Sequence, residues 1–329
     1  MRRTLLALAL FAGLALPATA HETWLTAVVP APTAPAPPPA RARAGKAAPR
    51  PTPSRPALVS GDSGSVELAT GSRFPVSEAP VEPATIDRTF VRFGPGRPMP
   101  MTGARADGAV TKLEATYAGA GVAALAVQLK PVFAEVPAAE FDAWLEEVGA
   151  ADVAAERRKR KETKKPGRQV TTACAKTFAH VADPRKVAVA APALESAAEP
   201  LGLPLELVLS ADPSGLRAGQ TVGATLLSDG KASGGHVVRL LDAEGTATAF
   251  TTAPDGSLTV PLARPGRLLL AATVLRRTTK ADRKRAEAYR KADWESLGTS
   301  LLLEVLPPPQ PPAATPKPTG KPGKKPRRP

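Results

Sequence analysis

Metal chemistry has few places to begin in this chain, because nitrogen and thiolate donors are confined to three histidines, His21, His180 and His236, and one cysteine, Cys174. His21 is the most suggestive. If the chain is processed after Ala20, His21 becomes the first residue, and its free α-amine and imidazole can chelate one ion in a small ring. That arrangement suits nitrogen-preferring ions, above all Cu(II) and Ni(II). Glu22 adds an oxygen, and His236, after the Ser233-Gly234-Gly235 turn, is a candidate third ligand. The expected metal set is therefore His21, Glu22 and His236, for nickel, cobalt or copper. The plainer alternative is that residue 21 merely opens a strand with Trp24 and Leu25. His180 lies six residues from Cys174, a spacing that matches no ligand signature, so both are expected to be structural. A single cysteine forms no intramolecular disulfide, which leaves packing and sheet hydrogen bonds to hold the fold.

Enzymatic constellations are missing from the sequence. It has no G-x-S-x-G elbow, HExxH, phosphate-binding loop or dinucleotide fingerprint, so no enzyme activity is expected. Asp142, Glu146 and Glu147 cluster on an amphipathic segment, where they read as its solvated face. A hydrolase would instead need a pocket with convergent polar groups.

The elements that must position these residues follow from composition. Arg2 and Arg3, the apolar run Thr4 to Leu16 and the small residues Ala18-Thr19-Ala20 read as a secretory signal, with an apolar stretch below the ~20 residues that span a bilayer. The expected location is the periplasm or the extracellular space, with no membrane span after cleavage. Residues 21–29 are expected to form a first strand. Residues 30–57 and 307–329 are rich in Pro, Ala and basic side chains and are read as a disordered linker and tail.

Two β-rich regions remain. In 58–136, Val66 to Leu68, Thr89 to Phe93 and Gly121 to Leu129 read as short strands between turn signals. Region 201–306 offers seven strands, around Leu205, Val222, Val237, Thr248, Ser257, Leu268 and Ser300, at a spacing that suggests an immunoglobulin-like sandwich. The fold class is mainly β: two sandwich-like domains joined by a helical and irregular connector, 137–200. Within it, Pro137 starts a helix with Phe141, Trp144, Leu145 and Val148 on one face. Residues 154–165 read as an exposed extension or loop, and 276–290 as a short helix or loop.

The formal charge is +14, gathered around residues 41–55, 157–165 and 317–328. None of these clusters has interleaved aromatic residues, so nucleic-acid binding is not expected. Solvated basic segments that contact anionic surfaces are.

His21-Glu22-Thr23-Trp24-Leu25, then GSRFP at 71–75, PAAEFDAWLEEVG at 137–149, RQVTTACAK at 168–176, LGLPLELVLSADPSGLRAG at 201–219 and DWES at 293–296 follow in an order and spacing that resembles domain-of-unknown-function family 4198. The resemblance covers most of 21–27 and 58–306. It implies an exported two-part β-rich protein without enzyme activity, whose second part is similar to carboxypeptidase-regulatory or immunoglobulin-like modules. Members are often labelled periplasmic components of cobalt or nickel uptake, which implies a metal-uptake transporter or another envelope component as partner. This chain departs from the pattern in the 30–56 insertion and in lacking a histidine near Val274-Leu275-Arg276. Two functions are expected in competition: a periplasmic metal-binding or accessory protein anchored by His21, and a non-catalytic envelope module that binds a protein or an anionic polymer.

Overall fold

The computed structural model describes residues 22–28, 58–182 and 198–309. The expected signal segment, His21, the linker expected over 30–57 and most of the expected tail lie outside them. The first half contains strands β1 (Glu22–Ala27), β2 (Leu58–Val59), β3 (Ser63–Gly71), β4 (Ala79–Pro80), β5 (Ile86–Phe93), β6 (Thr102–Asp107), β7 (Val110–Thr116), β8 (Gly121–Leu129) and β9 (Val132–Val136). Helices α1 (Ala138–Glu147) and α2 (Ala151–Lys159) follow, then the long strand β10 (Gly167–Ala182). The second half contains β11 (Leu205–Leu209), β12 (Thr221–Ser228), β13 (Lys231–Ala232), β14 (Val237–Asp242), β15 (Ala247–Thr251), β16 (Ser257–Pro261), β17 (Gly266–Arg277), the short helix α3 (Asp282–Arg285) and β18 (Trp294–Val305).

The protein is mainly β, and its two halves share one sheet. Nine strands run β15-β14-β17-β18-β10-β8-β5, with β2 and β9 also on β10. Side chains alternate across a strand, and β18 shows what this does. Leu297, Leu301, Leu303 and Val305 face the four-stranded sheet of β11, β12, β13 and β16, where they join Leu205, Leu207, Leu226 and Val260 in one core. Trp294, Ser300 and Leu302 face the other way. On that opposite face, farther along the sheet, Leu125, Val127, Ala175 and Ala179 meet Leu25, Leu68 and Leu113 of the five-stranded sheet β1-β3-β7-β6 with β4 on β3. The two sandwiches thus sit on opposite faces of a common sheet.

The connector expected over 137–200 is where the structure differs most. Its middle is the sixteen-residue strand β10, paired antiparallel with β8 and β9 and parallel with β18, from Gln169↔Trp294 to Thr177↔Leu302. With Gln169, Val170, Thr172, Cys174, Ala175 and Lys176 all buried, β10 loses side chains to packing on both faces, where polar alternation is not required, and Arg168 to Lys176 shows none. Residues 154–165 also differ from the exposed extension expected. Through residue 159 they are helix, and Arg157 is buried, with its guanidinium 4.9 Å from the Phe141 ring centroid and 2.9 Å from Asp142. Stacking on an aromatic face with a carboxylate partner is what lets an arginine be buried. Helix α1 does follow the expected face: Phe141 and Leu145 are buried, and Trp144 stacks on Phe141 at 5.5 Å. Gly167 is needed there, because a Cβ would lie 2.1 Å from the Phe141 ring.

A buried ion pair locks the second sandwich to the common sheet. Lys176 Nζ of β10 lies 2.7 Å from Glu206 Oε1 of β11, and both side chains are 1% exposed. The Glu206 carboxylate also accepts hydrogen bonds from the backbone N–H groups of Leu201, Gly202 and Leu203. Beside it, burial pushes the Cys174 thiol up to about 12, which keeps it protonated and inert, as the sequence suggests.

Candidate functional site

Of the three expected metal ligands, His21 lies outside the described residues. Glu22 opens β1, where its carboxylate pairs with the Arg239 guanidinium of β14, and Arg239 also lies 3.5 Å from Glu147 at the end of α1. His236 precedes β14, with its backbone N–H donating to Thr252 Oγ1. Alternation along β14 places His236 on the face of Val238, opposite Arg239. The structure therefore ties Glu22 to a cation and sets His236 on the other side of the strand. Among the described residues no group of three or more His, Cys, Asp and Glu side chains is placed to hold a metal ion; His21, the anchor of the expected set, is not one of them. Glu22→Gln is accordingly expected to leave any Ni(II), Co(II) or Cu(II) uptake unchanged. A calorimetric titration in which this variant loses stoichiometric binding overturns that placement.

A second constellation was only half legible in the sequence. The basic segments around 157–165 and 276–291, more than a hundred residues apart, meet at one end of the nine-stranded sheet, where β17 and β18 turn and β10 begins. Arg277 of β17 reaches Glu156 of α2 at 3.0 Å and also pairs with Glu162. Its guanidinium lies 4.3 Å from the Trp294 ring centroid, so the bridge rests on a buried aromatic floor. Arg168 binds Asp293 at 2.9 Å, and Asp293 lies 3.8 Å from Arg283.

Buried acids hold the 276–295 excursion in shape. Glu295, at the start of β18, pairs with Arg276 and lies 2.6 Å from Arg285, while Tyr289 Oη donates to it. The Arg276 guanidinium, which hydrogen-bonds Asp282, holds that carboxyl well below the usual carboxylate range. What the sequence leaves open between helix and loop is a short helix α3 and a 3-10 turn, Glu287–Tyr289.

Charge is left over after these pairings. Residues 156–168 and 276–295 hold sixteen basic and six acidic side chains. Arg158, Lys159, Lys161, Lys164, Lys165, Lys280, Lys284 and Lys291 are exposed and make no ion pair with an acidic side chain among the described residues. Two fields of cations, each unremarkable alone, become one basic face.

The family profile of a domain of unknown function, DUF4198, matches residues 18–276. The chain belongs to this family. That span takes in β1, the five-stranded sheet, both helices, β10 and β17 to Arg276, so the DUF4198 profile covers most of both halves but stops before β18. No curated protein matches this DUF4198 chain. Among solved structures, fibronectin(III)-like modules of Clostridium thermocellum CbhA align at 12% identity, over 77% of this chain and 93% of theirs, with a TM-score of 0.18. At that score the alignment adds nothing to the fold described above. No helix among the described residues is long and apolar enough to cross a membrane.

Proposed function

We propose that this protein is a non-catalytic module of the cell envelope that attaches to an anionic polymer through the basic face formed by residues 156–168 and 276–295. The observation that carries this reading is the joining of two sequence-distant basic segments by Arg277, Glu156, Glu162, Arg168 and Asp293. Bridges of this kind contribute little stability where they are exposed, yet they fix the relative position of the unpaired lysines. A fixed field of like charge raises the local concentration of a polyanion and speeds its capture. Lysines on an open face suit repeated carboxylate or phosphate groups, which need charge density rather than planar bidentate geometry. Export through the N-terminal signal would place the module where such polymers are found.

The test compares the full chain with two charge variants on immobilised poly-L-glutamate. Lys161→Glu, Lys164→Glu, Lys280→Glu and Lys284→Glu together are expected to weaken binding at least about tenfold at physiological salt and to flatten its salt dependence, as loss of several unscreened charges requires. Neutralising the tail lysines 317, 321, 324 and 325 should have a smaller effect. If the tail variant loses binding and the face variant keeps it, the proposal fails.

A further inference from the structure

The first sandwich is open along one side. Strand β5 is the outer strand of the nine-stranded sheet and β6 that of the five-stranded sheet, and residues 94–101 cross from one to the other. On the way Met99 pairs with Val91 through both backbone groups, and the Met101 N–H donates to Thr89 Oγ1, whose hydroxyl donates to the Met101 carbonyl. From Thr102 onward the chain pairs with β7 instead, so the two walls fork. Each wall carries a β-bulge. Asp87 is the extra residue on β5, between Ile86↔Leu129 and Arg88↔Gln128. On β6, Gly103 and Ala104 together oppose Leu113, between Thr102↔Glu114 and Arg105↔Lys112, and Gly103 takes the left-handed φ of +64° that a glycine-led bulge requires. Bulges bend a strand and re-aim its side chains, and they recur beside binding sites.

Between the walls lies a cleft of about 670 Å³, the size of a small-ligand site. Ile86, Phe90 and Met99 line it half-buried, and Met101 and Leu113 close its base. Met99 and Met101 are two of only three methionines in the chain, the third being Met1. Thioether side chains adapt to varied apolar shapes. Hydrogen-bonding capacity in the lining is largely committed. The Thr89 hydroxyl serves Met101, while Gln128 donates to the Asp87 carboxylate and accepts from the Arg88 guanidinium. Because Met99 and Met101 cover the outer edge of β5 at Val91 and Thr89, an added strand finds no free row of backbone groups there. What remains is charge. Arg97 is exposed and makes no ion pair or hydrogen bond among the described residues, and Arg88, 5.4 Å from the Phe90 ring centroid, has no carboxylate partner there. Against these two cations the lining sets one acid, Asp87.

We propose that this cleft binds a free fatty acid, with its carboxylate at Arg88 and Arg97 and its alkyl chain along Ile86, Phe90, Met99 and Met101. A guanidinium fork matches a carboxylate, and Gln128 already orients that of Arg88. Burying the chain against apolar side chains supplies the driving force. A sugar or a peptide would give up its hydrogen bonds to water and find few partners in return. The cleft shares no residue with the basic face, so this inference and the polyanion reading fail separately.

Decanoate is the probe, titrated into the full chain below its micellar concentration, with decanol as the uncharged control, butyrate as the short-chain control and binding followed by amide chemical shifts. Saturable decanoate binding is expected, about tenfold weaker for decanol through loss of the charged contact and at least about tenfold weaker for butyrate through loss of apolar burial. Arg97→Ala should weaken decanoate about tenfold and leave decanol unchanged. Ala104→Trp should abolish binding while melting with the wild type, since residue 104 is exposed on the β6 wall and an aromatic side chain suits a strand. The Lys161/Lys164/Lys280/Lys284 variant should bind decanoate normally. No saturable binding by the folded wild type, decanol binding as tight as that of decanoate, loss of binding in the lysine variant, or unchanged binding in the folded Arg97→Ala and Ala104→Trp variants overturns the proposal.

Discussion

Glu206→Ala is expected to cost about 3–5 kcal/mol and to lower the melting temperature by roughly 10 °C, because it strands the Lys176 ammonium in the interior. Burial already lowers the lysine's proton affinity, and the opposing pull comes from Glu206. Without that carboxylate the amides of Leu201, Gly202 and Leu203 also lose their acceptor. Lys176→Met combined with Glu206→Gln removes both charges but keeps an acceptor for those amides. It should recover most of the loss, as paired replacements of buried ions often do. Thermal denaturation of the three proteins decides the matter. If Glu206→Ala melts within a degree or two of the wild type, the pair does not lock the second sandwich to the common sheet.

Trp24→Ala is the other large effect expected, at about 3–5 kcal/mol for loss of a buried aromatic side chain. Trp24 is 3% exposed, and its ring sits edge-on to Phe74 at 5.4 Å. It packs on Leu269 of β17 and Leu302 of β18, so a strand hydrogen-bonded to the first half rests on strands of the second. The loss should be accompanied by release of β1, read as faster proteolysis within residues 22–28 than elsewhere in the folded chain. A variant that loses less than about 1 kcal/mol, with β1 still protected, would mean that β1 is not a clasp between the halves.

Much of the architecture was legible because local patterns decide it. Val237 to Leu241, Thr248 to Thr252 and Ser257 to Leu262, punctuated by Gly245 and Asp255-Gly256, lie on β14, β15 and β16 with boundaries shifted by a residue at most. The Phe141, Leu145 and Val148 face of α1 was written in a period of 3.6 residues. Strands β6 and β7 were not singled out. All six β6 side chains are exposed, so β6 offers no buried stripe to read, and although β7 alternates, its buried positions include Thr111 and Ala115.

Strand β10 shows where local reading ends. Thr171 to Lys176 mixes small, polar and charged residues, and it is a strand because β18 pairs along it while β9 and β8 pair the two ends of β10. The sites divide in the same way. The sequence by itself determined that the chain is mainly β, that nitrogen and thiol donors are scarce, and that its charge is positive and clustered, since these depend on residue type and near-neighbour spacing. Only the tertiary structure decided that Glu22 meets Arg239, that Lys176 finds Glu206, and that two basic segments form one face. Each of those depends on parallel or long-range pairing between strands, which no periodicity within a strand encodes.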